Sequence, residues 1–275
     1  MPELPEVEHV KRQLISLLGG GLRVASVEYF RKDLRFPLPE FLIQKLPGES
    51  LVTIERRAKY LMFKFVDGWL LSHLGMSGAW RELNPGEAKI LHDHVRIEFE
   101  NGPTLIFNDP RRFGFIDWVP LDSFKTHVRL EHLGPEPLEE VFSAEYLFAK
   151  FRKRKASVKT MLMDQRLVVG VGNIYASEVL FRAGIRPGRA AGRVTFEEAK
   201  KLVNEIRTVL SAAIDAGGST IRTYKSADGT AGTFQSRFFV YGREGEICRK
   251  CRKSKVSMKV IGSRSTFWCS RCQPK

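Results

Sequence analysis

The stretch Gly134-Pro135-Glu136-Pro137 separates two unlike halves of this sequence. Two prolines two apart lack backbone donors and hold the residues before them extended, so neither a helix nor a sheet ladder runs through them. Upstream, apolar residues come in short runs: Leu22 to Phe30, Leu51 to Ile54, Tyr60 to Phe65, Trp69 to His73, Val95 to Phe99, Thr104 to Phe107 and Phe115 to Val119. Turn signals punctuate them at Pro47-Gly48, Asp67-Gly68, Pro85-Gly86 and Asn101-Gly102. Seven such runs predict a β-sandwich or barrel. Downstream, the spacing predicts helices over 144–164, 174–183 and 195–216. The last opens on Thr195 with Glu198 three residues on, a capping-box pattern, and ends at Gly217-Gly218. Between the first two, Val169-Gly170-Val171-Gly172-Asn173 reads as a tight backbone turn. One more helix is predicted near the start, over 5–18, where Val7, Val10, Leu14, Leu17 and Leu18 share a face before Gly19-Gly20-Gly21. The fold class is therefore α+β with more than one domain.

The chain has 275 residues, 43% hydrophobic and 28% charged, which suits two globular domains with a small appendage. No stretch approaches the roughly 18 apolar residues of a membrane helix, so no membrane partner is expected. The first ten residues carry two prolines and three glutamates instead of the basic patch and apolar run of a secretory signal, and a cytoplasmic location is expected. Lys and Arg outnumber Asp and Glu by 45 to 31. A polyanionic partner follows, nucleic acid first and anionic membrane as the competitor. The excess is concentrated at the end, where residues 243–275 hold ten Lys or Arg against two Glu. A second run, Lys150-Phe151-Arg152-Lys153-Arg154-Lys155, suits the solvated side of a helix as well as it suits phosphate binding.

Cys248, Cys251, Cys269 and Cys272 are the only cysteines in the chain, as C-x2-C, seventeen residues, C-x2-C. Two such pairs close a tetrahedral thiolate site, and four protein ligands leave no open position for chemistry. One structural Zn(2+) is the expected occupant, with disulfides and an iron–sulfur cluster as the alternatives. The intervening segment, with Lys253, Lys255, Lys259, Arg264, Phe267 and Trp268, reads as a two-stranded hairpin presenting cations to phosphates or a groove.

At the other end, an initiator Met before a small residue is normally removed, leaving Pro2 with a free secondary amine. An α-amine titrates near about 8, so part of it is neutral at pH 7 and can attack a sugar C1′ to give an iminium. Glu3 and Glu6 are placed to do acid–base work beside it. The same residues also suit an ordinary helix start, with proline early and acids in the first turn.

Eight strings in order resolve that ambiguity: PELPEVE at 2–8, RRAKYL at 56–61, HLGMSG at 73–78, HDH at 92–94, DPRRFG at 109–114, LGPEP at 133–137, VVGVGNIYASEVLF at 168–181, and VYGREG with the cysteine finger at 240–272. Together they resemble the bacterial formamidopyrimidine-DNA glycosylase family over essentially the whole chain. The resemblance implies an N-terminal β-sandwich flanked by helices over 1–132, a helical domain with a helix-two-turn-helix motif over 133–238, and a zinc-finger hairpin over 239–275. It implies a monomer that acts on double-stranded DNA containing an oxidised purine, with the damaged nucleotide flipped out, and a nucleoid-associated place in the cell.

By motif match, Pro2 resembles the nucleophile and Glu3 the general acid/base; Lys59 resembles the lysine of β-elimination, and Arg264 the arginine that grips the flanking phosphate. Met76, Arg111 and Phe113 match the family's void fillers, which occupy the hole left by a flipped base. His73, His92, Lys155 and Asn173 fall at DNA-contacting positions, and Glu6 beside the substrate. Gly217 to Tyr224, including Thr220 and Tyr224, resembles the loop that closes over the extruded base. His92 and His94 could form a metal pair, but no third ligand supports one. The finger departs from the family at Arg252, where glycine is usual, and at Trp268, where tyrosine is usual. A sister type acting on oxidised pyrimidines, which starts PEGPEI, and a non-catalytic zinc-finger binder are the competing readings.

Overall fold

The computed structural model describes residues 1–219 and 232–274. Contacts divide the chain into two compact units. One comprises Met1–Glu131 together with the described residues from Gly217 to Thr233, and the other comprises His132–Ala216 with Phe234 onward. The finger thus shares a unit with the helices. The short links Gly217 to Ser219 and Gly232 to Thr233, joined by a Ser219–Thr233 bridge, belong with the first unit.

The first unit begins with helix α1 (Leu4–Leu18), then strand β1 (Val24–Tyr29) and a one-turn helix α2 (Leu42–Lys45). Seven strands follow: β2 (Thr53–Arg57), β3 (Tyr60–Lys64), β4 (Gly68–His73), β5 (Ala79–Leu83), β6 (Asp93–Phe99), β7 (Thr104–Asn108) and β8 (Phe115–Pro120). They form two antiparallel sheets, β1-β6-β7-β5 and β2-β3-β4-β8, so the sandwich is the outcome. Inward residues of both sheets, among them Ile97, Phe107, Phe63 and Leu70, make one core with Val7, Val10 and Leu14 of α1. Trp80 joins the layers: its ring lies 5.4 Å from Phe63, and its indole N–H donates to Ser72 Oγ at 2.9 Å. Strand β5, which carries Trp80, was not among the seven expected runs. It sits at a sheet edge, and of its five residues only Trp80 is buried, so no apolar alternation marks it.

In the second unit the helix expected over 144–164 is two helices, α3 (Ala144–Phe151) and α4 (Val158–Leu162). Lys153 takes a left-handed φ of 60°, and Ser157 Oγ accepts the N–H of Thr160 at 3.1 Å to start α4 afresh. The basic run 150–155 therefore spans a break, not the side of one helix. Helix α5 (Asn173–Ala183) follows the glycine turn, and α6 (Phe196–Asp215) opens on Thr195 with the expected capping box to Glu198. These helices share a core with Phe234 and Phe238. Strands β9 (Val256–Ile261) and β10 (Arg264–Cys269) pair antiparallel, the expected hairpin, with Gly262 and Ser263 both at positive φ in the turn. None of the described helices is long and apolar enough to cross a membrane.

Candidate active site

At the start of α1 the chain is arranged around its own terminus. Pro2, Glu3, Leu4, Pro5 and Glu6 are all buried, and Glu3 and Glu6 are each only 3% exposed. Glu6 Oε2 accepts the N–H of Glu3 at 2.9 Å, one half of a capping box whose other half is the Glu3 side chain on the N–H of Glu6. The other oxygen, Oε1, accepts from the backbone N–H and the hydroxyl of Ser219, at 2.7 and 2.9 Å. Both oxygens of Glu6 are thus engaged, one on Glu3 and one on Ser219. The terminal amine, here that of Met1, is pushed below its ordinary value by burial; Glu3 opposes the shift, while Lys59 and Arg111 add to it. Its charged neighbours are therefore the residues the motifs had singled out.

Lys59 is 7% exposed and sits on the two-residue turn between β2 and β3, whose last ladder pair is Arg57–Tyr60. Ala58 turns the chain with a left-handed φ of 55°, at a cost of about 1–2 kcal/mol for a residue with a Cβ. Arg56 supports the turn, giving one hydrogen bond to Ala58 O at 3.0 Å and another to Glu8 Oε2 on α1 at 2.9 Å. Burial opposes ionisation of Glu8, yet hydrogen bonds from Lys11 and Arg56 hold its carboxyl below the usual range. The turn bearing Lys59 is in this way tied to the helix that starts at the amine.

His73, at the end of β4, stacks on Phe115 at 5.3 Å. Burial, with Lys59, Arg35 and Arg129 adding to it, depresses its pKa to about 4. The ring is neutral at pH 7. Its Nδ1 accepts the N–H of Gly75 at 3.0 Å, so the proton resides on Nε2, which is left as a donor suited to a phosphate oxygen.

Met76, Arg111 and Phe113, which match the family's void fillers in sequence, lie on two touching loops. Met76 is half-buried, whereas Arg111 and Phe113 are exposed, with the guanidinium 4.8 Å above the phenyl ring. Asp109, fully buried, organises both loops. Its Oδ1 accepts from Ser77 Oγ at 2.5 Å and Arg111 N–H at 3.2 Å, and its Oδ2 from Gly114 N–H at 2.7 Å. A Cβ at Gly75, whose φ is +60°, would lie 2.3 Å from Gly114 N, so only glycine lets the loops meet. His92 is half-buried with φ 73°, and its carbonyl accepts the N–H of Asp109. His94 Nε2 bonds Asp109 O at 2.9 Å. The two histidines thus serve the loop, and the one group of metal-capable side chains among the described residues is the cysteine set.

In the helical unit, Asn173 opens α5 directly after the glycine turn. Its Nδ2 donates to Ser265 O at 3.0 Å. Its Oδ1 accepts from Lys159 Nζ, which also donates to Thr266 Oγ1 at 2.6 Å and Ser265 O at 3.1 Å. Lys159, 1% exposed, therefore fixes the strand that begins with Arg264 against α5. Lys155, the lysine expected here, is exposed in the break between α3 and α4. Glu178, 2% exposed, accepts the N–H groups of Phe239, Val240 and Tyr241 at 2.8 to 2.9 Å. Burial, against those three hydrogen bonds, pushes its carboxyl up. Asp109, Lys159 and Glu178 were missed because each joins segments far apart in sequence: Asp109 reaches Ser77, Lys159 reaches Ser265 and Thr266, and Glu178 reaches Phe239, Val240 and Tyr241. A charged residue inside an apolar helical stretch, as in VGNIYASEVLF, is the one signal that could have found Glu178.

The cysteine sulfurs all lie within 4.8 Å of one another, with Cys248–Cys272 at 3.8 Å and Cys251–Cys269 at 3.7 Å. A disulfide needs about 2.05 Å. A tetrahedral ion with bonds of about 2.3 Å sets its thiolates roughly 3.8 Å apart, so the four fit one such ion. Hydrogen bonds from the Lys253 N–H foremost lower Cys251 to about 6, while burial and the neighbouring thiols push Cys272 up to about 12; a dication would relieve the latter. Arg252, in the usual glycine position, adopts a left-handed φ of 52°, so the turn is kept. Thr220 and Tyr224 lie outside the described residues.

Two family models match: the formamidopyrimidine-DNA glycosylase N-terminal domain over residues 1–116 and the formamidopyrimidine-DNA glycosylase H2TH domain over 133–225. The formamidopyrimidine-DNA glycosylase of Bdellovibrio bacteriovorus is 50% identical over 273 residues, covering 99% of this chain and 100% of that one. That of Stenotrophomonas maltophilia is 48% identical over 274 residues, with the same coverage. Among solved structures, Lactococcus lactis Fpg in complex with DNA containing an abasic site superposes with a TM-score of 0.91 at 35% identity, over 99% of this chain and 100% of that one. A mutant of the same enzyme with DNA containing Fapy-dG gives 0.92 at 34%, and MutM with DNA containing carbocyclic 8-oxo-G gives 0.90 at 34%, each over 100% of both chains.

Proposed function

The chain belongs to the formamidopyrimidine-DNA glycosylase family, and on that premise we propose that it excises oxidised purines, 8-oxoguanine and formamidopyrimidines, from duplex DNA and then cleaves the strand. The observation that carries the reading is the terminus itself: Pro2 is buried beside Glu3, and the amine one residue ahead of it, that of the exposed Met1, is lowered chiefly by burial, with Glu3, Lys59, Glu6 and Arg111 as its charged neighbours. An amine freed on Pro2 in the same surroundings would be neutral more often than an exposed one, which supports nucleophilic attack.

With Met1 removed, the Pro2 nitrogen lone pair attacks C1′ and the glycosidic bond breaks, its electrons leaving with the base. Glu3 delivers a proton to the sugar ring oxygen, the ring opens, and the amine and C1′ become an iminium. Loss of a C2′ proton then expels the 3′ phosphate, and a second elimination expels the 5′ phosphate, leaving a one-nucleotide gap. Lys59 assists the first elimination. Arg264 grips the phosphate flanking the lesion, a task suited to a planar, permanently charged fork. His73 Nε2 and Asn173 take further phosphates, while Met76, Arg111 and Phe113 fill the vacated stack. The cysteines hold one structural Zn(2+) and perform no chemistry. The protein works as a monomer in the compartment that houses the DNA, with functional modules over 1–132, 133–238 and 239–275.

Borohydride trapping tests this on duplex DNA carrying 8-oxoguanine opposite cytosine. A covalent protein–DNA band for the wild type, absent for Glu3→Gln, is the expected result. Binding without trapping, in protein shown to lack Met1, would reduce the chain to a DNA binder.

A further inference from the structure

The basic run that the sequence left between two readings is built into a larger surface. Residues 154–158 are zipped to 189–192 by backbone bonds: Gly192 N–H to Arg154 O at 2.9 Å, Ala191 N–H to Ala156 O at 2.9 Å, and Val158 N–H to Arg189 O at 2.8 Å. A Cβ at Gly192 would lie 3.0 Å from Arg154 O, so the approach is close. The two segments place Arg152, Lys153, Arg154 and Lys155, all exposed, beside Arg186, Arg189 and Arg193.

A cavity of about 590 Å3 lies alongside, walled by Arg186, Arg189, Arg193, Lys259, Ser157 and Trp268 among others. Arg193 also lines the next concavity, together with Arg152 and Lys153. Apart from the Ser157 hydroxyl, the polar side chains named on the first wall are donors only. Glu198 neutralises Arg189 at 2.6 Å, but among the described residues no carboxylate pairs with Arg186, Arg193 or Lys259. Arg186 lies 5.4 Å over the Trp268 ring. Trp268 is 9% exposed, and its buried Nε1 has no acceptor. A concave wall of unpaired cations with low-dielectric sides focuses its field on anions.

We propose that this cavity and the zipped strip bind the DNA backbone on one flank of the lesion, as a second phosphate track. The inference rests on Arg264 being a phosphate ligand. In β10 alternate residues share a face, so Trp268 stands with Arg264, and Lys259, paired with Thr266, joins them. Four residues of strand span about 13 Å, and one strand of duplex rises about 3.4 Å per phosphate. A backbone that followed β10 from Arg264 would reach the cavity roughly four phosphates on. The strip has a direction, so it serves one flank and not the other.

The test is the salt dependence of binding to 24-base-pair duplexes carrying an uncleavable abasic analogue at the centre, or three pairs from either end. Arg193→Gln/Lys259→Gln removes two exposed, unpaired cations. The slope of log K against log salt should fall by about 1.8 on the centred duplex and on one end-placed duplex, and stay unchanged on the other. Arg193→Lys/Lys259→Arg should keep the wild-type slope, which separates charge from packing. An unchanged slope on all three duplexes, or an equal fall on all three, would overturn the proposal. Because the analogue is never cleaved, failure of the chemistry leaves the result readable. Arg264→Gln run alongside tests the premise: an unchanged slope there removes the ruler, while a one-flank fall in the double variant still establishes the strip.

Discussion

Asp109→Asn should loosen the wedge loops without touching any residue proposed to react. The carboxylate accepts from Ser77 Oγ, Arg111 N–H and Gly114 N–H, and it is fully buried. An amide can keep one oxygen on one side, but it must aim an NH2 at a donor on the other. One charge-assisted bond is lost and a donor is left facing a donor, which costs about 2–3 kcal/mol; Asp109→Ala, which strands the Gly114 N–H and the Ser77 hydroxyl and leaves the Arg111 N–H only Ser77 Oγ, costs about 4 kcal/mol. For a chain of this size each kcal/mol shifts Tm by roughly 2–4 °C, so Asp109→Asn should melt about 5–10 °C below the wild type. Arg111 and Phe113 ride on the loop that this carboxylate ties down, and a displacement of about 1 Å in a positioning element lowers rate by roughly 100-fold. Differential scanning calorimetry and single-turnover excision of 8-oxoguanine measure the two effects. A variant that melts within about 1 °C of the wild type and excises at the same rate would refute the reasoning.

Three further outcomes follow from the geometry. Glu178→Ala strands three backbone N–H groups leading into the finger and should cost about 4 kcal/mol, read as a lower urea midpoint and as faster metal loss to a chromophoric chelator. Between pH 6.5 and 4, protonation of His73 in the unfolded chain, but not in the fold, draws the protein toward unfolding. Its stabilising contribution is thus complete above about 6.5 and is lost as pH falls toward 4. The total is about 2–3 kcal/mol, and His73→Gln should flatten the climb of the urea midpoint over that window. Gly75→Ala, with its Cβ 2.3 Å from Gly114 N at a positive φ, should cost more than about 3 kcal/mol, seen as a loss of Tm larger than that of Ser77→Ala.

Much of this was legible in the residues because the deciding signals were local. The capping box at Thr195, the glycine turn before Asn173 and the C-x2-C pairs each depend on neighbours within a few positions, and each folds as expected. Strand β5 was silent because an edge strand with one inward tryptophan has no alternation to detect. The helix over 144–164 failed because apolar spacing continues through Lys153, while a left-handed backbone and a fresh cap at Ser157 interrupt it. Pro2, Glu3 and Lys59 were singled out by motif, and the lowered amine of Met1, with Glu3 and Lys59 among its charged neighbours, gives that expectation a physical context that composition could not supply. The supporting carboxylates Asp109 and Glu178 stayed hidden for a different reason. Their partners are backbone N–H groups and, for Asp109, the Ser77 hydroxyl far back in the chain, and neither kind of pairing leaves a local pattern in a sequence.

The fork at Glu6 has a consequence for how this protein can change. One carboxylate sets the backbone that carries the reactive terminus, and with its second oxygen it holds Ser219, at the root of the segment assigned to the extruded base. Drift at position 219 is therefore felt at the amine, and drift at position 6 is felt twice. Positions 6 and 219 are inherited as one unit, so a lineage that changes the chain around Ser219 must keep both of its donors or readjust the start of α1 in the same step.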